Sequence, residues 1–442
     1  MRKYFGTDGI RGIANDELTA ELAFKIGKAT AHVLKSQNHT LNNVLIARDT
    51  RISGEMFEAA LVSSILSMGI NVVTCGVMPT PVLAWLTHQE HTAGFMVSAS
   101  HNPWMHNGIK IFLDGYKLPD KLEEEIENHL DDEIKNHEIG KRIELDLLSN
   151  YVEWMASKYA DLKGLKIAFD LANGAAVATV PIVSKEIGID GIFFNSNPDG
   201  ININEKCGAL HPEFLSGKIK STGASFGVIH DGDADRCIMI GKSGRIIDGD
   251  DMIVINAKFM KKVGHLSSNT VVGTLMTNLG IEEELKSNEI KFIRAKVGDR
   301  YVLEKMQEVG SNLGGEQSGH IIFLDLATTG DGLLTALETI TTSLKFGVDI
   351  EEFSSGIERY PQKLTNVHVK NKKLVMKSHK ILEFVKDINS KENMRIVIRP
   401  SGTEPLIRIM VEGKSPEMVE KIVSQAREIV EEVKTSGEIS KD

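Results

Sequence analysis

The sequence predicts an α/β protein with three related α/β domains and a smaller C-terminal α+β domain. One pattern occurs three times: an apolar strand, a turn of small polar residues, an amphipathic helix and, after a short break, a second strand. After about Pro361 the pattern changes. A chain of 442 residues has room for three domains of ordinary size and a small fourth one.

The three copies of this βαβ pattern are separated by the length of a domain. Solenoid repeats recur every ~20 to 50 residues, so we expect separate domains instead of one solenoid. The first copy has strands at Val44–Ile46 and Asn71–Thr74, with a helix that ends at Ser67 between them. The second has strands at Lys166–Phe169 and Ile192–Phe194, with a helix that ends at Glu186. The third has strands at Val271–Gly273 and Ile290–Ile293, with a helix that ends at Ser287.

The C-terminal region mixes strands and helices without the βαβ order, which predicts a small α+β domain. Its expected elements are strands at Asn366–Val369, Arg395–Ile398 and Leu406–Val411, and helices near His379–Ile388 and from Pro416 onward. We therefore expect four domains, at residues 1–150, 151–250, 251–362 and 363–442.

The composition is that of an ordinary globular protein, with 41% apolar and 25% charged residues. The net charge of -10 argues against nucleic acid as a partner, because phosphate backbones are held by basic surfaces. The three cysteines, Cys75, Cys207 and Cys237, have no paired spacing, which indicates a reducing compartment and no structural zinc site. We expect a cytoplasmic protein.

Residues 59–89 carry no charged side chain, yet they do not have the composition of a membrane span. Serines, glycine, an asparagine and two prolines interrupt the apolar stretch, so we expect a helix, a strand and a turn here. The N-terminal residues Met1–Asp8 contain no apolar signal region, and we expect neither export nor membrane attachment.

The first segment that can carry chemistry is Ser98–Pro103, which follows the apolar, strand-like Phe95–Val97. Ser100 is its candidate nucleophile, and a serine without a triad suits phosphate carriage, where positioning and charge neutralisation do most of the catalysis. The segment lacks the glycines of a hydrolase elbow, and an extended chain would point the neighbouring His101 away from Ser100. The alternative is a polar turn closed by proline.

The second segment is the acidic loop Asp231–Arg236 between two apolar strands. Its alternating carboxylates can converge on one cation, and Arg236 and Lys242 stand where an EF-hand loop needs glycine and glutamate. All-oxygen ligands indicate a hard ion such as Mg²⁺, which commonly takes a phosphate oxygen as a further ligand. The alternative is a solvated acidic turn, in which three carboxylates would repel one another.

The third segment, Gly314–His320, precedes the apolar Ile321–Phe323. Its glycines allow the backbone to approach a ligand closely, and Glu316 and Ser318 can hydrogen-bond to vicinal sugar hydroxyls. The alternative is a plain glycine-rich turn.

The fourth segment is Arg399–Pro405, with Arg408 in the following strand. Two arginines, two hydroxyls and the N–H groups around Gly402 can form a phosphate cradle. The segment lacks the Walker ending and a following helix, so we do not expect a nucleotide. The alternative is a simple connection between strands.

Two weaker candidates carry positive charge. Arg11 lies in the glycine-rich Phe5–Gly12, where it can neutralise charge in a transition state. Lys110 lies close to Ser100 in sequence and can assist proton transfer if its pKa is lowered. An N-terminal turn and a solvated surface lysine are the alternatives.

Together these motifs resemble those of the α-D-phosphohexomutase superfamily, whose phosphoserine, metal, sugar and phosphate loops occur once each in this order. The resemblance spans the whole chain and implies four domains around a central cleft. It implies that Ser100 carries the phosphoryl group, and that Arg11, His101 and Lys110 assist catalysis. By the same resemblance, the Mg²⁺ ligands are the serine phosphate, Asp231, Asp233 and Asp235, and the substrate is held by Glu316, Ser318, Arg399, Ser401, Gly402, Thr403 and Arg408.

Within the superfamily, Phe5–Gly12, Gln317 and Ala295–Arg300 resemble the bacterial members that interconvert glucosamine 6-phosphate and glucosamine 1-phosphate for cell-wall amino sugars. The resemblance implies that phosphorylated Ser100 makes a sugar bisphosphate, which turns round and returns its other phosphate to the serine. The expected partners are a hexosamine phosphate and a second copy of the chain. The alternatives are a mutase of glucose or mannose phosphates, a phosphosugar phosphatase and a non-catalytic sugar-phosphate sensor.

Overall fold

The computed structural model describes residues 3–6, 8–37, 39, 41, 43–401 and 405–439. The chain forms two compact units, one of residues 1–274 and 290–354, the other of residues 275–289 and 355–442. Within the described residues the strands form four β-sheets, three in the first unit and one in the second.

The first sheet has eight strands, with helices that pack on it. Its elements are β1 (Phe5–Gly6), β2 (Gly9–Ile13), α1 (Ala20–Ser36), β3 (Asn43–Arg48), α2 (Gly54–Leu66), β4 (Asn71–Val77), α3 (Thr80–Gln89), β5 (Ala93–Val97), β6 (His106–Leu113), β7 (Tyr116–Lys117), α4 (Asp120–Asn128) and β8 (Arg142–Ile143). Thr19 caps α1 by accepting the N–H of Leu22 at 3.2 Å. Gly27 lets α1 approach α2, because a Cβ there would meet Ser64 Oγ at 2.0 Å.

The second sheet has five strands in the order β10-β9-β11-β12-β13. Its elements are α5 (Leu148–Lys158), β9 (Lys166–Asp170), α6 (Val180–Ile187), β10 (Asp190–Phe194), α7 (Glu213–Thr222), β11 (Phe226–His230), β12 (Cys237–Gly241) and β13 (Ile246–Ile247), with short 3₁₀ turns at Ala160–Leu162 and Ala175–Ala178. Every residue of β12 is buried.

The third sheet has four strands in the order β15-β14-β16-β17. The elements of this region are α8 (Gly249–Lys262), a 3₁₀ turn at Ser267–Asn269, β14 (Thr270–Thr274), α9 (Leu279–Ser287), β15 (Lys291–Ala295), α10 (Asp299–Val309), β16 (Leu313–Gly315), β17 (Ile321–Phe323) and α11 (Gly332–Phe346). Helix α9 joins β14 to β15 along the chain and belongs to the second compact unit.

All three sheets share one arrangement of four strands. The orders β4-β3-β5-β6, β10-β9-β11-β12 and β15-β14-β16-β17 correspond to one another. In each, the first three strands are parallel and the fourth is antiparallel to its neighbour. The three predicted βαβ copies occupy the first two strands of each set, so the prediction of three related α/β domains is confirmed.

The fourth sheet is antiparallel, in the order β18-β20-β19, as expected for an α+β domain. The elements of this part of the chain are α12 (Ile350–Gly356), β18 (Gln362–His368), α13 (Lys372–Met376), α14 (His379–Asn389), β19 (Met394–Pro400), β20 (Leu406–Gly413) and α15 (Pro416–Ile439). The sequence did not predict α13, which has only five residues and depends on Asn371, whose side chain accepts the N–H of Leu374.

The uncharged residues 59–89 form the end of α2, strand β4 and helix α3. The turn expected after the strand is therefore a second helix. Pro81 lies in its first turn, where the missing N–H of proline is tolerated. Among the residues that the structure describes, no helix is long and apolar enough to cross a membrane.

Candidate active site

Three of the four motifs occupy the same place in the three related sheets. The loops that contain Ser100, the aspartates and Glu316 each join the third strand of a set to its antiparallel fourth strand: β5 to β6, β11 to β12, and β16 to β17. Equivalent positions in three related domains thus carry three different chemical groups.

Ser100 lies in the β5–β6 loop and is buried beside the aspartate loop. Its hydroxyl donates to Asp231 Oδ2 at 2.6 Å, and its N–H donates to Ser98 Oγ at 2.9 Å. Its φ of 52° lies in the left-handed region, which is uncommon for a residue other than glycine. The structure therefore places the candidate nucleophile directly against the candidate metal ligands.

The three aspartates converge, since one carboxylate oxygen from each lies within 4.8 Å of the other two, and all three side chains are buried. Burial and the carboxylates of Asp235 and Asp233 raise the pKa of Asp231 well above its ordinary value. Asp233 Oδ1 and Asp235 Oδ1 have no hydrogen-bond partner among the described residues. Buried oxygens without partners are costly, so this donor set fits a bound cation.

Lys110 is buried, so the alternative reading of Lys110 as a solvated surface lysine is wrong. Its Nζ donates to Asp233 Oδ2 at 2.7 Å and lies 3.3 Å from Asp8 Oδ2. Burial alone would lower the pKa of Lys110, but the carboxylates of Asp233, Asp8 and Asp235 raise it well above its ordinary value. The lowered pKa that proton transfer would require is therefore not found, and Lys110 is a fixed cation.

Arg11 lies on β2 opposite Gly108 of β6 and forms an ion pair with Asp8. Burial opposes ionisation of Asp8, but Lys110, Lys117 and Arg11 hold its pKa well below the ordinary value. The two predicted cations thus share one carboxylate at the edge of the aspartate cluster.

His101 is not turned away from Ser100, as the assumption of an extended chain required. Its Nδ1 lies 3.4 Å from Ser100 Oγ, because the left-handed backbone of Ser100 bends the chain. Burial, together with the positive charges of Arg236 and Arg11, lowers the pKa of His101 to about 3. The imidazole is therefore neutral near pH 7, and it is a weaker base than an ordinary histidine.

The third loop lies beside the aspartate loop, since the N–H of Cys237 donates to Gly319 O at 3.0 Å. Glu316 Oε1 accepts the N–H of Gly298 at 3.1 Å, and burial raises the pKa of Glu316 above its ordinary value. Ser318 is half-buried on the turn of the loop. The first three motifs are therefore neighbours in one site.

The fourth motif lies in the second compact unit, on β19 and β20. Arg399 and Arg408 are directly opposite each other in the antiparallel pair, so their side chains share one face of the sheet. Lys372 Nζ donates to Ser401 O at 2.7 Å, which adds a third cation to this region. Gly402 and Thr403 lie outside the described residues.

Sequence reasoning missed the buried ion pair that follows β3. Arg51 Nε donates to Asp49 Oδ2 at 2.8 Å, and neither side chain is exposed to solvent. The available signal was the same as for the other motifs, because Asp49–Arg51 follows the end of an apolar strand.

Lys117 was also missed. It is nearly buried and forms ion pairs with both Asp8 and Asp299, and the latter lies 3.5 Å from His320 Nε2. Its strand, β7, has only two residues, and no pattern in the sequence distinguishes it from a surface lysine. Asp299 lies within the Ala295–Arg300 segment already noted for its resemblance.

Four family models of phosphoglucomutase/phosphomannomutase match the chain. They are alpha/beta/alpha domain I at residues 2–137, domain II at residues 146–244, domain III at residues 248–360 and the C-terminal domain at residues 364–429.

Known proteins resemble the chain over nearly its full length. A phosphoglucosamine mutase of Desulforamulus reducens is 49% identical and covers 97% of this chain and 99% of its own. One of Clostridium novyi is 45% identical and covers 98% of this chain and 99% of its own. A solved phosphoglucomutase/phosphomannomutase family protein of Burkholderia thailandensis has a TM-score of 0.81 at 22% identity, over 97% of both chains, which shows the shared fold. The chain therefore belongs to the phosphoglucomutase/phosphomannomutase family, the α-D-phosphohexomutases, together with bacterial phosphoglucosamine mutases that resemble it from end to end.

Proposed function

We propose that this protein interconverts glucosamine 6-phosphate and glucosamine 1-phosphate through a phosphoserine enzyme and a bisphosphate intermediate. The observation that carries the proposal is the 2.6 Å contact between Ser100 Oγ and the buried aspartate triad, in a chain 49% identical to a phosphoglucosamine mutase. A serine for phosphate carriage and a cation site beside it are what phosphoryl transfer requires.

The cation that we propose is one Mg²⁺ per chain, held by Asp231, Asp233, Asp235 and the phosphate on Ser100. The two buried oxygens without hydrogen-bond partners, on Asp233 and Asp235, support this assignment. Ligands that are all oxygen favour a hard ion, and Mg²⁺ commonly shares its shell with a phosphate. When bound there, Mg²⁺ would supply Lewis-acid polarisation of the transferring group.

The proposed reaction has two phosphoryl-transfer steps at Ser100. A sugar hydroxyl attacks the phosphorus on Ser100 and its proton leaves to a base. The bond between phosphorus and Ser100 Oγ breaks, and Ser100 Oγ takes up a proton to become a hydroxyl. In the return step Ser100 Oγ attacks the other phosphate of the bisphosphate and gives up its proton. The bond between that phosphorus and the sugar oxygen breaks, and the sugar oxygen takes up a proton to become a hydroxyl. We assign the proton that Ser100 gives up to His101 Nδ1 because of its position 3.4 Å from Ser100 Oγ, and because Asp231 is an expected metal ligand.

Lys110 and Arg11 are the cations that we assign to the charge of the transferring group. Lys110 is held by Asp233, and Arg11 by Asp8. Because both are tied to fixed carboxylates, their positive charges are in place before the substrate arrives, which is the condition for electrostatic preorganisation.

Glu316 and Ser318 are proposed to bind the hydroxyl groups of the sugar, and Glu316 also its ammonium group. Arg399, Arg408, Ser401, Gly402 and Thr403 are proposed to bind the phosphate that does not react. The paired arginines on β19 and β20 support the second assignment, since two forked cations on one face suit a phosphate.

We further propose that the protein is a cytoplasmic homodimer without a nucleic-acid or membrane partner. The four domains that we propose for each chain are residues 1–150, 151–250, 251–362 and 363–442. The lack of paired spacing among the three cysteines supports a reducing compartment, and the net charge of -10 disfavours nucleic acid.

The test is a ³¹P NMR time course of the purified, phosphorylated protein with Mg²⁺ and glucosamine 6-phosphate. We expect the signal of glucosamine 1-phosphate to grow until the two isomers reach a constant ratio, without a rise in inorganic phosphate. Steady release of inorganic phosphate would identify a phosphatase, and the absence of any turnover would identify a binding protein.

A further inference from the structure

We propose that the segment Asp49–Ile52 keeps the phosphorylatable serine in register with the aspartate triad, and that Arg51 is its principal positioning residue. The inference rests on the proposed function, since it assigns a role in the same phosphoryl transfer.

Arg51 holds the backbone of the serine loop at three points. Its Nη2 donates to Ser100 O at 2.7 Å and to Asn102 O at 2.9 Å, and its Nη1 donates to Pro103 O at 2.6 Å. The side chain is fully buried. Several donors in a rigid plane can bind three carbonyl groups together, which a lysine ammonium on a flexible stem cannot reproduce.

Asp49 links this guanidinium to the other side of the loop. Its Oδ2 accepts Arg51 Nε at 2.8 Å and the hydroxyl of Ser98 at 2.6 Å. Ser98 Oγ in turn accepts the N–H of Ser100 at 2.9 Å. The carbonyl of Ser100 is therefore bound directly by the buried ion pair, and its N–H is linked to the same pair through Ser98. These contacts hold the left-handed φ of 52° at Ser100.

The same short segment binds the domain that carries the aspartates. Thr50 Oγ1 donates to Asn173 O at 2.5 Å, and the N–H of Ile52 donates to Gly200 O at 2.9 Å. From that domain, Asn204 Nδ2 donates back to Ser100 O at 2.9 Å. Within this segment, the side chains of Asp49 and Arg51 thus contact the serine loop. Thr50 and Ile52 contact the domain that carries the aspartates.

This arrangement predicts a specific kinetic effect. A misplacement of reacting groups by about 1 Å can lower a rate roughly 100-fold. Substrate binding by the sugar and phosphate loops involves none of the four residues of the segment. Loss of the Arg51 contacts should therefore lower kcat and leave KM unchanged.

The experiment compares Arg51→Lys with Arg48→Lys in the full chain. Arg48 is the last residue of β3, three residues before Arg51, but its ion pairs are with Glu55 and Glu58. The control therefore makes the same chemical change without touching the serine loop. We expect Arg51→Lys to lower kcat about 100-fold at unchanged KM, and to move the ³¹P resonance of the phosphoserine. Arg48→Lys should match the wild type in kcat, in KM and in the ³¹P resonance of the phosphoserine.

An Arg51→Lys protein that folds and keeps the wild-type kcat and phosphoserine resonance would overturn the inference. If that variant does not fold, Thr50→Val replaces it, because it lies in the same segment, keeps the shape of the side chain and removes the hydroxyl contact to Asn173 O. We then expect a smaller fall in kcat at constant KM, and wild-type kinetics would overturn the inference. A wild-type protein that does not isomerise glucosamine phosphates refutes the proposed function itself, whereas unimpaired variants of an active enzyme refute only the positioning role.

Discussion

Ser98 and Ser100 are separated by one residue, but their hydroxyl groups face different partners. Ser98 Oγ donates to the buried Asp49, whereas Ser100 Oγ donates to Asp231 of the aspartate triad. Of the two hydroxyls, only that of Ser100 lies beside the proposed cation site, where the charge of a transferring phosphoryl group would be neutralised.

We therefore predict that Ser100→Ala abolishes turnover and leaves the protein without covalent phosphate, while Ser98 stays unmodified in wild type and variant. Peptide mass spectrometry after incubation with a sugar bisphosphate is the measurement. Phosphate found solely on Ser98, in an active Ser100→Ala protein, would refute the assignment.

Asp233 contributes both a partner for Lys110 and one of the oxygens that lacks a hydrogen bond. Asp233→Asn should lower kcat roughly 1000-fold or more, because Lewis-acid stabilisation is worth several kcal/mol and about 1.4 kcal/mol corresponds to a factor of ten. Steady-state kinetics over a range of Mg²⁺ concentrations measures this. Asp190→Asn, an exposed aspartate at the start of β10, is the control and should behave as wild type. Full activity of Asp233→Asn in a chelator would exclude the metal role.

Candidate residues could be named from the sequence where a polar motif follows an apolar strand, as for Ser100 and the three aspartates, and the structure places these residues side by side. The burial and the raised pKa of Lys110 could not be predicted, because its carboxylate partners come from Asp8 and from the aspartate loop, far away in sequence. The orientation of His101 depends on one backbone angle of Ser100 that sequence spacing does not determine.

At the scale of elements, the βαβ repeats were visible because local periodicity marks a strand, a helix and a second strand. The third and fourth strands of each set were harder to assign. The pairing of β5 with β6, β11 with β12 and β16 with β17 is a long-range choice of partner, and it is this pairing that brings the loops to equivalent positions. The equivalence of the three functional loops therefore emerged only from the structure.

The β19–β20 pair makes a prediction about the phosphate site. If Arg399 holds the phosphate that does not react, it binds ground state and transition state alike. Arg399→Ala should then raise KM more than it lowers kcat, and steady-state kinetics separates the two. Lys363→Ala, which removes an exposed cation on β18 that pairs with Glu420, is the control. A fall in kcat at constant KM would instead place Arg399 at the reacting phosphate.

The N-terminus of α11 makes a prediction about stability and pH. Asp331 caps the helix by accepting the N–H of Leu334, also accepts the hydroxyl of Tyr151, and is buried, which raises its pKa from 3.8 to about 6. An acid with a raised pKa in the folded state stabilises the protein below pH 4, and this contribution is lost as the pH rises through about 6. The shift from 3.8 to about 6 corresponds to a contribution of about 3 kcal/mol to the free energy of unfolding.

Asp331→Asn keeps a capping side chain and cannot ionise. Its free energy of unfolding, measured by urea denaturation from pH 4 to pH 8, should rise relative to wild type as the pH increases. A constant difference between the two proteins would show that Asp331 does not titrate in this range.

At the scale of the whole molecule, the number and class of the domains were predictable because one pattern repeats and then stops. The family assignment rests on all four domain models and on relatives that cover almost the entire chain. The choice of sugar is different. If Glu316 binds the sugar as proposed, that choice depends on which substituent Glu316 reaches, which is a matter of one or two contacts within a shared fold.

The most direct test of the central claim is kcat/KM for glucosamine 1-phosphate, glucose 1-phosphate and mannose 1-phosphate under one priming condition. A carboxylate bound to the protonated amine makes a charge-assisted hydrogen bond, which is roughly twice as strong as a neutral one. We predict a preference of about tenfold or more for the amino sugar, equivalent to ~1.4 kcal/mol. Equal or greater efficiency with either neutral sugar would contradict the account and identify a phosphoglucomutase or phosphomannomutase.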